Sequence, residues 1–398
     1  MISGIAEKLE IAFGCGPNDT VAEEDWTNVS ADLADDRGRD QSIAPMRGRS
    51  YDLDRIDAGS MLCTLTNLDG KLTPGNTSGY NAKARHPIRY SVNGQVTWRG
   101  FTGGFSPSYP GVKGAIVQTQ ALDAMSLLNR RKIPAGTTFS QESIGDRFAS
   151  VLQTALGYSP SMCDLDAGLI TCTATDDMGG QNPLSHLQDL ALAEGGRFFV
   201  SRAGIWTFRD VLATLAQFAT NCGTFGFSDG DLIYRLVSDQ LDHDDSKIIN
   251  HVEITAGSGS VFTAEDQDSI DAYGRCDFAA SWGISDSDAQ ARAYRLIRER
   301  SQPAVRIPAL EILHTRCPDV AWPVLDALEI GQRFTFDPPP NAIGLETCDV
   351  IVEGVNSSST KGEYHVFVQL SLADTQRYWL AGIAGYSEAN STTVAFPA

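Results

Sequence analysis

The run Ile88-Arg89-Tyr90-Ser91-Val92-Asn93-Gly94-Gln95-Val96-Thr97-Trp98-Arg99 constrains the fold of this chain more than any other stretch. Two β-type segments flank Asn93-Gly94, the dipeptide best suited to the positive φ angles of a two-residue hairpin turn, so an antiparallel pair is expected here. The same period of two recurs nearby. Met61, Cys63 and Leu65 alternate with Leu62, Thr64 and Thr66, Asn67-Leu68-Asp69-Gly70 supplies a turn, and Ala115 to Ala121 reads as a further strand. Residues 1–122 are therefore expected to be β-rich.

After Asp123 the period becomes helical. Ile144, Phe148, Val151, Leu152 and Ala155 make one continuous face, with Ser140 as N-cap and Gly157 as stop. Asn182-Pro183 opens a second helix through Leu184, Leu187 and Leu190, which stops at Gly195-Gly196. Gly196-Arg197-Phe198-Phe199-Val200 and Ile205-Trp206-Thr207-Phe208 then suit a hairpin around Arg202-Ala203-Gly204. From about Asn250 β patterning returns, in His251 to Thr255, Arg333 to Phe336, Val350 to Val352 and Tyr364 to Val368. One helix is expected to interrupt it, capped by Asp286 or Ser287, buried on Ala289, Ala293, Leu296 and Ile297, and ended by Pro303. The expected fold class is mainly β with an α+β insert: β-rich parts at 1–122 and 213–384, a small α/β unit at 123–212, and a mobile or partner-ordered tail at 385–398. No internal repeat is visible at the level of residue identity.

At 398 residues, 42% hydrophobic and 20% charged, the composition is that of a globular protein with room for two or three domains. No apolar run approaches the roughly 20 residues of a membrane span. Met1-Ile2-Ser3-Gly4 leads straight to Glu7, Lys8 and Glu10, so a soluble chain made in the cytoplasm is expected. A formal charge of -19 opposes a general grip on nucleic acid, which needs a surplus of Lys and Arg. The acidic surface is either plainly solvated or a wall that DNA passes without adhering; Asp35, Asp36, Asp239, Asp242, Asp244 and Asp245 are the candidates for such a lining.

Chemistry-bearing patterns are sparse. The eight cysteines are scattered, with no Cys-x-x-Cys pair, which suits reduced core thiols better than a zinc ribbon, a disulfide framework or an iron–sulfur cluster. Asp242-His243-Asp244-Asp245 with His251 could hold a divalent ion, but a solvated acidic loop is the commoner meaning. Neither a Gly-x-Ser-x-Gly elbow nor a phosphate loop occurs, and with 50 Asp and Glu residues no carboxylate pair stands out. No enzyme, cofactor or metal is expected.

Three stretches carry a resemblance. The first runs from Trp26-Thr27-Asn28-Val29 through Met46-Arg47-Gly48-Arg49, Leu53-Asp54-Arg55-Ile56-Asp57-Ala58-Gly59 and Leu65 to Asn76, then His86 to Tyr90 and Arg99 to Gly103. The second is Leu187 to Asp210, with Glu194-Gly195-Gly196-Arg197 at its centre. The third combines Asp268 to Arg275, Glu329-Ile330-Gly331-Gln332-Arg333 and Val352-Glu353-Gly354-Val355. Together they resemble the minor tail proteins of long-tailed bacteriophages that have the baseplate-hub fold. The resemblance implies two tube-like β-barrels flanking the α/β insert, and a trimeric ring in the virion tail tip, assembled in the host cytoplasm. That ring would join the tail tube or distal-tail protein to tip or fibre proteins and contact the tape-measure protein, with DNA passing through unbound. A hexameric distal-tail ring with a receptor- or carbohydrate-binding role is the alternative, and a cell-wall hydrolase the third. Trp26, Arg47, Arg49, Arg55, Trp98 and Arg275 are the candidate interaction residues, Trp26 as barrel plug or interface anchor and the two arginines of the 46–49 motif in ion pairs or inter-subunit contacts. Asp32 to Pro45 is longer and more charged than the family pattern.

Overall fold

The computed structural model describes residues 5–33, 43–109, 115–215, 219–238, 242–244, 247–307, 309–342, 346–360, 363–373, 378–379 and 394–395. Strands β1 (Glu7–Ile11), β2 (Thr27–Asn28), β3 (Ile43–Gly48), β4 (Ser60–Thr66), β5 (Pro87–Val92), β6 (Gln95–Thr102), β7 (Ser106–Ser108) and β8 (Ile116–Leu122) form the first β region. They run in the order β2-β1-β5-β6-β8-β4-β3, with β7 beside β8. The expected hairpin joins β5 to β6, with Asn93 at φ 51° and Gly94 at φ 84°. Alternation along β4 holds in part: Met61, Cys63 and Leu65 are fully buried and Leu62 is half exposed, but Thr64, expected on the outer face, is buried as well. After β2, Leu33 makes an isolated bridge to Leu65 of β4, so a short segment runs from the β1 edge to β4.

The second β region closes on itself. Asn221–Gly226, Arg333–Phe336, Cys348–Thr360, Glu363–Leu372, Leu310–Ile312 and Leu232–Leu236 pair in that order, and the last returns to the first, which makes a closed six-stranded barrel. Phe225 and Phe334 stack at 4.8 Å inside it, among Tyr234, Val350, Val352 and Val368. The two β regions are not separate sheets. β3 pairs antiparallel with Cys348–Thr360, joining everything into one 14-stranded sheet, and a single apolar cluster runs through both halves.

Helices α1 (Met125–Asn129), α2 (Ile144–Ala149), α3 (Pro183–Glu194), α4 (Gln267–Tyr273), α5 (Asp286–Arg300) and α6 (Pro318–Leu325) complete the molecule. The first three pack on a three-stranded sheet containing the expected hairpin Arg197–Val200 and Trp206–Arg209. Asn182 caps α3 by accepting the Ser185 amide, and Gly195 ends it at φ 77°. The cap of α2 is Ser143, not Ser140. Glu142–Ser143 pairs as a strand with Thr171–Cys172, so the chain cannot turn helical before Ile144.

Residues 251–300, read from sequence as part of the second β region, contribute no strand to the barrel. His251–Thr255 pairs instead with Val261–Glu265 and Asp277–Ser281 in a small sheet covered by α5, whose Ala289, Ala293 and Leu296 meet Val252 and Ile254. This unit leans on the first α/β unit: the Thr171 amide donates to Asp288 at 2.8 Å and the Thr173 amide to Gly283 at 2.9 Å. Among the described residues three helices rather than one therefore interrupt the later β pattern. The short α4 shows too little apolar period to be read as helix, and α6 has prolines at its start and at Pro323. Ser285, one residue before the expected cap, is the N-cap of α5.

Candidate functional site

The motifs quoted from distant parts of the sequence meet at one joint. β3 carries Met46-Arg47-Gly48, and its register sets Gly48 against Gly354 and Arg47 against Val355. Gly48 stands at φ 94°, and a Cβ there would lie 2.2 Å from the Glu353 carbonyl oxygen, so only glycine permits this approach. On the other side of Cys348–Thr360 the register to Glu363–Leu372 slips between Val352 and Gly354, leaving Glu353 as the extra residue of a β-bulge. A bulge re-aims a side chain that regular pairing would place elsewhere.

The Glu353 carboxylate is fully buried. It accepts from Arg49 Nε at 2.8 Å, from Ser371 Oγ at 2.6 Å and from Arg197 through two nitrogens, one of them Nε at 3.2 Å. Burial by itself would raise this carboxyl, but the Arg197 and Arg49 guanidiniums reverse the effect and hold it well below the usual carboxylate range. Beside it Arg47 pairs with Glu329, whose second oxygen accepts the Arg202 amide at 2.9 Å. Thus β3, the barrel and the hairpin of the first α/β unit are held together by two buried ionic clusters. Asp123 lies close by, accepting the Gly59 amide at 2.7 Å and the Met125 amide at 2.9 Å, and burial pushes its carboxyl up to about 7.

The candidate residues are therefore distributed unevenly. Arg47 and Arg49 are under a tenth exposed and serve the intrachain joint. Trp98, expected as an interaction residue, is fully buried in the first β region, because β6 turns that position inward, so it cannot reach a partner. Trp26 is partly exposed, with the Arg89 and Arg99 guanidiniums 4.5 and 5.4 Å from its ring; Arg89 also pairs with Glu10 at 2.7 Å and with Glu23. Arg55 pairs with Asp189 of α3 at the surface. Arg275 donates to Asp277 at 2.8 Å, and His251, which sequence placed near a possible metal cluster, lies 2.9 Å from the same carboxylate. Among the described residues no group of three or more His, Cys, Asp or Glu side chains is placed to hold a metal ion. Asp242 and Asp244 sit on a short strand paired with Ala304–Arg306, their side chains outside the described set; Asp35, Asp36, Asp239 and Asp245 lie outside the described residues altogether.

Glu353, Arg197 and Glu329 belonged to quoted motifs but were not singled out as sites. Their ion-pair partners are 156 to 304 positions away in sequence, and no local pattern signals such pairs.

No family model and no curated protein sequence matches this chain. Solved structures do. A 43 kDa tail protein of prophage MuSo2 from Shewanella oneidensis aligns with a TM-score of 0.55 at 13% identity, over 92% of this chain and 97% of that one. A tail protein from Neisseria meningitidis MC58 aligns with a TM-score of 0.57 at 11% identity, over 92% of this chain and 96% of that one. Over nearly its whole length, this chain has the fold of these bacterial tail proteins.

Proposed function

We propose that this chain is a structural protein of a phage tail tip, a baseplate-hub or minor tail protein. The observation that carries this reading is the fold likeness to two tail proteins across 92% of the chain. In this reading residues 1–122 and the six-stranded barrel within 213–384, without the separate sheet of 251–300, act as two tube-like units around the 123–212 insert, while of the 385–398 tail only 394–395 lie among the described residues. Three copies would then present six barrel-like units to a sixfold tail tube, and heterologous contacts would close the ring around a DNA channel. Its neighbours would be the tube or distal-tail protein on one side, tip or fibre proteins on the other, and the tape-measure protein inside. The protein is not an enzyme in this reading.

Counting subunits in a reconstruction of the tail tip tests it, with three copies expected. Six copies, each giving one barrel, would overturn the trimer and favour the hexameric distal-tail ring with a receptor- or carbohydrate-binding role. One feature favours keeping that second reading in the test: among the described residues only the second β region closes by strand pairing alone. Zymography on host cell walls separates the remaining class, since clear lysis would make the protein a hydrolase.

A further inference from the structure

A cavity of about 280 Å³ opens where the barrel meets both α/β units, and its lining does not suit a chain of charge -19. Arg49, Arg197, Arg292, Arg295, Arg298 and Arg300 all line it. Among the described residues, three carboxylates pair with five of these cations. Glu353 holds Arg49 and Arg197, Asp52 holds Arg300, and Glu299 accepts from Arg295 at 2.6 Å while lying 3.9 Å from Arg292. Glu194, the other carboxyl whose charge reaches Arg292, is committed to the Leu169 and Ile170 amides at 3.0 and 3.1 Å.

The pairing leaves donors over. Arg197 Nη1 and Arg292 Nε are buried without a hydrogen-bond partner, on side chains 4% and 5% exposed as residues, and Arg300 Nε is in the same condition. Arg292 gives one nitrogen to the Leu192 carbonyl at 3.2 Å, and burial lowers its guanidinium to about 10. Buried guanidinium donors without acceptors are costly, and a planar fork of such donors matches an oxyanion. We propose that this cavity is an oxyanion site that takes a small dianion, phosphate or a dicarboxylate, on Arg197 and Arg292 with Arg298 at its exposed side.

The site draws on the barrel, the hairpin of the first α/β unit and α5, so an occupant ties three pieces together. This does not depend on a role in a tail tip. The test titrates the full chain with inorganic phosphate and, separately, succinate, against sodium chloride of equal ionic strength, reading melting temperature and calorimetric stoichiometry. A saturable rise with one dianion per chain is expected. Arg298→Gln, at the exposed arginine, is expected to weaken binding about tenfold, and the distant Lys71→Gln to leave it unchanged. Binding of phosphate alone would identify the source as free phosphate, and competition by succinate would identify carboxylates. No saturable response to either dianion, or equal binding by Arg298→Gln and the parent, would overturn the proposal.

Discussion

At Glu353 one extra residue in an otherwise regular pairing turns a carboxylate toward arginines contributed by two other regions. Removing one member of a fully buried ionic cluster leaves the others charged and uncompensated, which costs about 3–5 kcal/mol. Glu353→Gln is therefore expected to lose roughly that much stability in denaturant unfolding at pH 7. The acid limb follows from the same group. Its folded carboxyl is depressed, so its contribution is fully present above the ordinary value of 4.5 and is lost as pH falls below it; the difference between parent and variant should shrink there. Asp123 and Glu194 act in the other direction. Burial raises both to about 7, so stability tied to them is present in acid and is lost as pH rises through 7, which a series of unfolding midpoints between pH 5 and 9 would show. Arg47→Glu would set a second carboxylate against Glu329 in a buried place, so reduced yield of folded monomer is expected. Trp26 differs, being partly exposed under two guanidiniums. Trp26→Ala should cost the isolated chain about 1 kcal/mol while, under the proposed tail-tip role, assembly falls further; normal assembly would return Trp26 to a purely structural part.

The elements themselves were largely legible, and the reason is local. The β5–β6 hairpin followed from Asn93-Gly94, and α3 followed from Asn182, Pro183 and Gly195, since turns and caps depend on φ preferences and hydrogen bonds within a few residues. Asn182→Ala and Ser285→Ala should each cost about 1 kcal/mol by denaturant unfolding, because each leaves a first-turn amide without its acceptor. Misreadings arose where a local signal had two outlets. Ser140 is as good a cap by composition as Ser143, and only the pairing of Glu142–Ser143 with Thr171–Cys172 decides between them. His251 to Thr255 reads as a strand, as it is, but nothing in its alternation says which sheet it joins. Gly48→Ala tests the joint at this scale. The added Cβ would collide with backbone 2.2 Å away, so loss of the β3 pairing and insoluble protein are expected.

On the scale of the whole molecule, the two β regions behave as one sheet folded into two parts, joined by β3 against Cys348–Thr360. A joint of this kind, with an ionic cluster on each side, predicts a single cooperative unfolding transition for both β regions by calorimetry; two well-separated transitions would show that they are independent. Sequence alone determined the class of each segment, the main turns and caps, the acidic balance and the motifs that resemble phage tail proteins. These are properties of residue type and short-range spacing. Only the tertiary structure decided that 251–300 leaves the barrel for a sheet of its own, that Trp98 and Arg47 face inward, and that Glu353 gathers Arg49 and Arg197. Each of those outcomes is a contact between residues far apart in the chain, chosen by which apolar faces could cover one another and which buried charges could be answered, and neither choice has a local signature.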